Sequence, residues 1–343
     1  MKTIVAHAAK DLRIEDHPAP EPKAGQVLIQ LENGGICGSD LHYYNHGGFG
    51  TVRLKEPMVL GHEISGRVAA LGEGVTGLQA GQLVAVSPSR PCESCKFCQS
   101  GAQNHCLDMR FYGSAMPFPH IQGAFRQILV ADAGQCVPAD GLTPAQAATA
   151  EPLAVVLHAA KQAGDLVGKR VLVTGCGPIG LLAVLVARAA GAVEIAATDI
   201  TAFTLAKAQE VGADITINMV ENADKLQKFT QGKGHFDVHF ECSGVSAALI
   251  AAVPALRPGA TIIQLGLGGD MTLPVQAMTA KELSLKGSFR FHHEFAQAVE
   301  MMQSGRLDVT PLMTHVEPME NAVKAFELAS DRAQAIKVQL TFS

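Results

Sequence analysis

Four of the eight cysteines lie within fifteen residues, at a spacing that suits a metal ion. The pattern is C-x2-C-x2-C-x7-C, in which two-residue gaps allow consecutive thiolates to converge on one ion. Four thiolates complete a tetrahedral shell with no open position for a substrate, so the pattern predicts a structural zinc ion. An iron–sulfur cluster is the alternative, but nothing else in the sequence indicates electron transfer. The predicted ligands of this four-cysteine lobe (residues 92–106) are Cys92, Cys95, Cys98 and Cys106.

A glycine-rich segment, GCGPIG at 175–180, fits the dinucleotide-binding pattern G-x-G-x-x-G. It directly follows a predicted strand and opens a predicted helix, whose free N–H groups would face a pyrophosphate. A carboxylate 19 residues after the last glycine ends the next predicted strand, where it can bind ribose hydroxyls and favours NAD over NADP. The alternative is an ordinary glycine-rich turn followed by a chance acid. The candidate cofactor-binding residues are Gly175, Gly177, Pro178, Ile179, Gly180 and Asp199.

The elements around these motifs divide the chain into two parts. With 343 residues, the chain is longer than one hydrophobic core usually spans, so two domains are expected. Up to about residue 150, short apolar runs between glycines predict β-strands, for example at 26–31. After Glu151-Pro152, strand and helix patterns alternate, which predicts an α/β fold with a doubly wound parallel sheet. From about residue 287 the chain is predicted to leave that sheet, with a helix at 294–302 and a final strand at 338–341.

Composition excludes several classes of protein. The net charge is −5, which gives no electrostatic reason to bind nucleic acid or an anionic membrane. The N-terminal apolar run is interrupted by charged residues and does not fit a signal peptide. The longest apolar stretch, at 179–190, is too short to span a bilayer. We therefore expect a cytoplasmic protein, in which the cysteine cluster binds metal and the other cysteines are small apolar residues: Cys136, Cys176 and Cys242.

Three further segments carry metal-ligand or acid–base side chains. Cys37-Gly-Ser-Asp40 follows a glycine-rich turn, and His62-Glu63 begins 25 residues after Cys37. Glu151 lies at the boundary between the two parts of the chain. Each segment alone is weak, because a single Cys or His is more often a packed core residue than a ligand. Their order along the chain, ahead of a dinucleotide motif, favours a catalytic site.

With these motifs the chain resembles the zinc-containing medium-chain dehydrogenases. The resemblance runs from about residue 25 to the C-terminus and rests on ICGSD, LGHEISG, the four-cysteine lobe, EPLAV and GCGPIG. Within that family the chain is similar to the sorbitol and xylitol dehydrogenase branch, through CGSDLHY at 37–43 and GSFR at 287–290. The resemblance implies a GroES-like β-barrel catalytic domain over 1–152 and 287–343. It also implies a Rossmann NAD-binding domain over 153–286.

The resemblance implies a second, catalytic zinc ion. Cys37 and His62 would bind it, and Glu63 and Glu151 would complete the shell directly or through a water molecule. The Cys2His ligand set of alcohol dehydrogenase is not met, because Glu151 stands where a second cysteine would be needed. A site richer in oxygen ligands suits a substrate with several hydroxyl groups. Zinc would lower the pKa of the substrate hydroxyl, and hydride would pass to the nicotinamide.

The resemblance also assigns roles around that zinc ion. Ser39 and His42 would relay the proton, or else be turn residues with local hydrogen bonds. Arg290 would bind substrate hydroxyls or a carboxylate, or else form a surface salt bridge. Tyr43 would contact the substrate, whereas His292 and His293 are expected at the surface. The family often has an arginine shortly after the ribose-binding acid, and its absence here means that NADP is not excluded.

These expectations leave several functions open. The leading one is oxidation of a secondary hydroxyl of a polyol or sugar acid with NAD(P), by a homo-oligomer that is a tetramer or a dimer. A sorbitol or xylitol dehydrogenase is the alternative enzyme. A non-catalytic nucleotide-binding protein should have lost its zinc ligands, and the zinc-free quinone reductase branch should lack both the cysteine lobe and the Cys37/His62 pair.

Overall fold

A computed structural model describes residues 1–342 of the chain. Strands dominate its first 138 residues. The strands are β1 (Lys2–Ala8), β2 (Asp11–Asp16), β3 (Gln26–Gly35), β4 (Gly48–Phe49), β5 (Val52–Arg53), β6 (Met58–Val59), β7 (Glu63–Leu71), β8 (Leu83–Val86), β9 (Ser89–Arg90), β10 (Arg110–Phe111), β11 (Ile128–Asp132) and β12 (Cys136–Pro138). The helices of this part are α1 (Gly38–His46), α2 (Lys96–Gln99) and α3 (Pro144–Ala148).

Strands and helices alternate in the second part, as the sequence predicts. The helices are α4 (Ala150–Ala163), α5 (Pro178–Ala189), α6 (Ala202–Glu210), α7 (Asp224–Gln227), α8 (Ser246–Ala252), α9 (Val275–Ala280), α10 (Glu294–Gln303) and α11 (Ala322–Ser330). The strands are β13 (Arg170–Thr174), β14 (Glu194–Asp199), β15 (Ile215–Asn218), β16 (Phe236–Glu241), β17 (Leu256–Gln264), β18 (Ser284–Gly287), β19 (Met313–Pro318) and β20 (Lys337–Thr341). No helix among residues 1–342 is both long enough and apolar enough to cross a membrane.

The strand-rich part forms a seven-stranded sheet and a three-stranded sheet around one core. The larger sheet has the order β12-β8-β7-β3-β20-β19, with β11 also paired to β3, and the smaller has the order β2-β1-β6. Val27, Ile29 and Leu31 alternate on β3 and are fully buried, as their spacing predicts. The C-terminal strand β20 runs antiparallel to β3, so the end of the chain lies beside the strand that leads into α1.

The second part contains a six-stranded parallel sheet with the order β15-β14-β13-β16-β17-β18. Counted from its own first strand, this is 3-2-1-4-5-6, the order of a Rossmann fold. The order reverses between β13 and β16, and ligands of such sheets bind at the carboxyl ends of the strands at that point. The α/β fold class inferred from the sequence is therefore confirmed.

Helices cover both faces of the parallel sheet and connect it to the catalytic segments. Phe295 and Val299 of α10 share a hydrophobic cluster with Leu153 of α4 and Leu181 of α5. Helix α4 begins with the segment that carries Glu151, so its packing fixes that carboxylate relative to the cofactor sheet. A second cluster lies on the opposite face and includes Ile217, Leu249 and Ile262.

Candidate zinc and dinucleotide sites

Asp40 joins the two segments that carry Cys37 and His62. One of its carboxylate oxygens accepts a hydrogen bond from the backbone N–H of Cys37 at 3.0 Å, closing the first turn of α1. The other oxygen accepts the N–H of Gly61, also at 3.0 Å. Burial raises the pKa of Asp40, while His62 and these hydrogen bonds oppose the rise. The motif at 37–40 predicts no role of its own for Asp40. Its position three residues after an N-cap residue is nevertheless typical of a side chain that binds the N-cap backbone.

Cys37, His62 and Glu63 form a compact group of potential metal ligands. One ligand atom from each lies within 4.8 Å of the others. The Nδ1 atom of His62 is buried and has no hydrogen-bond partner among residues 1–342, since the nearest Asp40 oxygen is 3.8 Å away. A thiolate, an imidazole and a carboxylate are all ligands of zinc, and a buried imidazole nitrogen without a partner is costly. The residues therefore fit a zinc ion with three protein ligands.

Glu63 forms a buried ion pair with Lys337, a residue to which the sequence motifs assign no role. The Lys337 ammonium donates to both carboxylate oxygens of Glu63 at 2.7 Å and to the carbonyl of Ile36 at 3.3 Å. Glu63 is 1% exposed and Lys337 is 3% exposed. Burial on its own lowers the pKa of Lys337, but the charges of Glu63 and Cys37 outweigh it, and the net shift is upward. Gly35 faces the same carboxylate, and a side chain there would overlap Glu63.

Glu151 lies beside this group and is not part of it. Its ligand atoms do not join the cluster in which all atoms lie within 4.8 Å of one another. Burial raises the pKa of Glu151 to about 8; the charge of His62 opposes the rise, and those of Cys37 and Glu63 add to it. The structure thus brings together three of the four residues expected around the catalytic zinc and leaves Glu151 next to them.

Ser39 and His42 lie on α1, on the side of Cys37 that leads to a cleft. The Ser39 hydroxyl opposes the burial that raises the pKa of Cys37 to about 11. His42 lines a cleft of about 860 Å³, whose opposite wall is formed by the loop from Gly266 to Met271 after β17. Burial lowers the pKa of His42. Of the two candidate relay residues, Ser39 therefore lies beside Cys37 in the first turn of α1, and His42 lies at the cleft.

Tyr43 is buried, and its hydroxyl already has a partner. The phenolic oxygen accepts the backbone N–H of Ala115 at 3.1 Å. Its ring lies 5.7 Å from that of Phe49, measured between centroids. Tyr43 therefore connects α1 to the segment around residue 115, and burial raises the pKa of its hydroxyl.

Arg290 faces the zinc ligands from the segment after β18. Its guanidinium lies 4.5 Å from the ring centroid of Phe111, whose ring is in turn 5.6 Å from that of His62. It also donates to the sulfur of Met116 at 3.5 Å. Burial lowers the pKa of Arg290, and Glu151 and Tyr43 oppose this change. Five arginines elsewhere form ion pairs, but within residues 1–342 no carboxylate lies within 4.0 Å of the Arg290 guanidinium.

The four-cysteine lobe projects between β9 and β10, which pair with each other at its base. The four sulfur atoms lie within 4.8 Å of one another, and zinc–sulfur bonds of 2.3 Å in a tetrahedral shell need sulfurs about 3.8 Å apart. The backbone and hydroxyl of Ser94, followed by the backbone N–H of Cys95, lower the pKa of Cys92 to about 6. N–H groups directed at sulfur favour the thiolate form that binds metal. The lobe therefore fits a structural zinc ion.

The dinucleotide motif adopts the turn that its glycines predict. Gly175 has φ +84°, and a side chain at Gly180 would overlap the carbonyl of Gly175. Helix α5 begins at Pro178, directly after the N-cap residue Gly177, so its free N–H groups face the end of β13. Ile179 occupies the first turn of the same helix.

Asp199 ends β14 next to this turn. One carboxylate oxygen accepts the N–H of Cys176 at 2.6 Å, and the other accepts those of Ile200 and Thr201 at 2.7 and 3.0 Å. The carboxylate is therefore held by backbone groups from two loops. Its remaining lone pairs are available to ribose hydroxyls.

The other predicted positions are simple to place. Cys136 and Cys176 are buried and Cys242 is partly buried, as expected for small apolar residues. His293 is exposed and His292 is half-buried, with their rings 4.6 Å apart. Neither histidine belongs to a metal-ligand group found among the described residues.

Two family models match the chain in the two parts that the fold displays. The model of the alcohol dehydrogenase GroES-like domain matches residues 23–141, and that of the zinc-binding dehydrogenase domain matches residues 178–304. The first match contains Cys37, His62 and Glu63 together with the four-cysteine lobe. The second begins at the first residue of α5.

Curated relatives and a solved structure agree with the family models. The chain is 43% identical to L-idonate 5-dehydrogenase (NAD(P)(+)) of Escherichia coli over 322 residues, which covers 92% of each protein. It is 38% identical to sorbitol dehydrogenase of Gallus gallus over 344 residues, covering 98% of this chain and 95% of the relative. The crystal structure of the E. coli L-idonate 5-dehydrogenase superimposes with a TM-score of 0.95, at 40% identity, covering 99% of this chain and 97% of that one. The chain therefore belongs to the zinc-dependent, NAD(P)-linked medium-chain dehydrogenases.

Proposed function

We propose that this dehydrogenase interconverts L-idonate and 5-keto-D-gluconate, with NAD preferred over NADP. The observation that carries the proposal is the position of Arg290: its half-buried guanidinium lies against Phe111, whose ring is beside that of His62, and no carboxylate of residues 1–342 lies within 4.0 Å of it. A sugar acid would supply the missing carboxylate, because a guanidinium binds a carboxylate through two parallel hydrogen bonds. The similarity to the E. coli L-idonate enzyme supports the same substrate.

The zinc ligands would hold the metal at the inner end of the substrate pocket. We assign Cys37, His62 and Glu63 to the catalytic zinc, with Glu151, which lies outside that group, acting through a water molecule. When bound, zinc lowers the pKa of the substrate hydroxyl, and the nicotinamide accepts the hydride. Asp40 would keep the loops of Cys37 and His62 together through its two backbone hydrogen bonds.

Lys337 would control the charge of this site. Glu63 is a buried carboxylate of the candidate metal group, and the Lys337 ammonium is its buried partner. The pair fixes the position of the Glu63 carboxylate beside Cys37 and His62. Because Lys337 engages both oxygens of Glu63, it also limits how far that carboxylate can move toward the ion.

The proton released from the substrate needs a route to solvent. We assign it to Ser39, whose hydroxyl acts on the Cys37 thiol, and to His42, which lines the open cleft. The lowered pKa of His42 leaves its imidazole neutral at pH 7, so it can accept a proton. Tyr43 has no part in this relay, because its hydroxyl oxygen already accepts the backbone N–H of Ala115.

The cofactor would lie across the carboxyl ends of β13 and β14. We assign its pyrophosphate to the turn at 175–180 and its adenosine ribose to Asp199. A carboxylate at that position disfavours a 2′-phosphate, which supports NAD. The run from Ile200 to Thr204 contains no arginine that could bind that phosphate.

A sorbitol or xylitol dehydrogenase is the second candidate, because the chicken sorbitol dehydrogenase matches almost the whole chain. A panel of L-idonate, sorbitol and xylitol with NAD and NADP separates the two, followed by nicotinamide absorbance. A clear preference for a neutral polyol would contradict the sugar-acid proposal. Turnover lost on chelation and restored by zinc would exclude a protein that only binds nucleotide.

We propose the following organisation of the protein. Residues 1–152 and 287–343 would form the catalytic domain, and residues 153–286 the cofactor domain. A homo-oligomer, tetramer or dimer, is supported by β18, the edge strand of the parallel sheet, whose four residues are all exposed. A cytoplasmic location is supported by the four-cysteine site, which needs reduced thiols.

A further inference from the structure

We propose that Asn104, in the four-cysteine lobe, is a positioning residue that sets the orientation of Arg290 and thereby the affinity for the anionic end of the substrate. The lobe would then act on substrate binding as well as on stability. This inference rests on the proposed function, because it assumes that Arg290 binds the substrate.

The lobe touches the residue immediately before Arg290 in two ways. The side-chain amide of Asn104 donates to the backbone carbonyl of Phe289 at 3.0 Å. The ring of His105 stacks on that of Phe289, with 6.1 Å between centroids and an interplanar angle of 24°. Asn104 is 8% exposed, so its hydrogen bond is protected from competing water. These contacts join segments 185 residues apart in sequence.

The backbone of Arg290 needs such support. Its φ is +56°, in the left-handed region, where a residue with a side chain is strained. A strained conformation persists only when its surroundings determine it. The Phe289 carbonyl belongs to the peptide group that joins Phe289 to Arg290. A hydrogen bond to that oxygen therefore fixes the plane from which the guanidinium extends.

The lobe also shapes the other side of the guanidinium. Phe111, under the guanidinium at 4.5 Å, belongs to β10, whose pairing with β9 closes the base of the lobe. Beyond Arg290, Glu294 accepts the N–H of His292 at 3.0 Å and the ammonium of Lys161 at 2.9 Å, which attaches the far side of the segment to α4. On the side of the segment that precedes Arg290, the corresponding side-chain hydrogen bond is the one from Asn104 to the Phe289 carbonyl.

The junction is not packed for stability alone. The side-chain oxygens of Gln103 and Ser288 are buried and have no hydrogen-bond partner among residues 1–342. These two residues adjoin Asn104 and Phe289 in sequence. Buried polar atoms without partners are costly and rare in parts of a protein that serve only stability.

A double-mutant cycle of Asn104→Ala and Arg290→Ala, with L-idonate as the anionic substrate, tests the proposal. Asn104→Ala should raise KM about fivefold, the effect of losing one neutral hydrogen bond, and leave kcat within about twofold. In the Arg290→Ala background the same change should have almost no effect on KM. Ser100→Ala is the matched control, because it removes a side-chain-to-carbonyl hydrogen bond within the same lobe, far from residue 289 in sequence.

Zinc content and thermal unfolding of every variant show whether the lobe is intact. If Asn104→Ala does not fold, Asn104→Asp removes the donor at constant size and enters the same cycle. An unchanged KM in Asn104→Ala, or an equal rise in both backgrounds, would overturn the proposal. If Arg290→Ala alone leaves KM unchanged for every substrate, the assigned role of Arg290 fails, which is a different result from the failure of Asn104 to act through it.

Discussion

The ammonium of Lys337 lies 2.7 Å from both carboxylate oxygens of Glu63, and both residues are almost completely buried. This pair joins the last strand of the chain to the strand that follows His62. It places the Lys337 ammonium against one carboxylate of the candidate metal group. Among residues 1–342, Glu63 therefore has a fixed cation as its partner, whereas the Arg290 guanidinium has no carboxylate within 4.0 Å and is free for the substrate carboxylate that we propose.

Loss of the Lys337 charge should be severe. Lys337→Met would leave Glu63 buried without a counter-charge, and we expect the free energy of unfolding to fall by about 3 kcal/mol, because breaking a buried pair strands the other ion. Chemical denaturation of the metal-free protein measures the change. Lys337→Arg should retain most of the stability.

The matched control is Lys324→Met, which breaks an ion pair of the same 2.7 Å length between a lysine whose side chain is 68% exposed and Glu317, which is 15% exposed. Exposed pairs contribute little to stability, so its denaturation midpoint should barely change. Equal effects of Lys337→Met and Lys324→Met would show that burial does not give the Glu63 pair its importance.

Asp40 should control metal affinity without touching the metal. Asp40→Asn keeps the size of the side chain but leaves one of the two backbone N–H groups, of Cys37 or Gly61, without its acceptor. Residues that orient metal ligands typically contribute 10- to 100-fold to affinity, and we expect a loss of zinc affinity of about tenfold or more. Competition with a chelator of known affinity measures it; an unchanged dissociation constant would mean that the two loops hold their places without Asp40.

The four-cysteine lobe should bind one zinc ion independently of the catalytic site. Cys95→Ser is expected to lower the zinc content from two ions per chain to one and to lower the melting temperature. Native mass spectrometry gives the zinc count. Cys136→Ser serves as the control, because Cys136 is a buried cysteine outside both metal groups. A count of one in the Cys136 variant, or of two in the Cys95 variant, would contradict the assignment.

Asp199 should determine the choice of cofactor. Asp199→Asn removes the charge that repels a 2′-phosphate and keeps an acceptor for the backbone N–H of Cys176. We expect the ratio of kcat/KM for NAD to that for NADP to fall roughly tenfold, the effect of one charged hydrogen bond. Initial rates with the two cofactors test this, and an unchanged ratio would assign the preference to other residues.

The local motifs could be predicted from the sequence because all their residues lie close together along the chain. The spacing of Cys92 to Cys106 is enough to predict a metal shell, and the glycines at 175–180 need only the strand before them and the helix after them. Strand β3 follows from the alternation of Val27, Ile29 and Leu31, which the structure buries as expected.

Contacts across long stretches of sequence could not be predicted in this way. Lys337 meets Glu63 because β3 pairs with β20 on one side and with β7, which begins at Glu63, on the other. These pairings bring together residues 274 positions apart and leave no local pattern. A lysine within the apolar run IKVQL was a clue that its charge must be paired, but not to which partner. The contact between Asn104 and Phe289 is equally non-local, and the positive φ of Arg290 has no signal in the sequence.

Whether Arg290 binds the carboxylate of a sugar acid is decided by steady-state kinetics of the wild-type protein and of Arg290→Ala on L-idonate, sorbitol and xylitol. Zinc content is measured alongside, so that a loss of metal is recognised. We expect the wild type to prefer L-idonate. Arg290→Ala should lower kcat/KM for L-idonate about a hundredfold, because a charged hydrogen-bonded pair is lost. Its effect on the neutral polyols should be much smaller. Preference of the wild type for a polyol, or an equal loss on all three substrates, would contradict this role of Arg290.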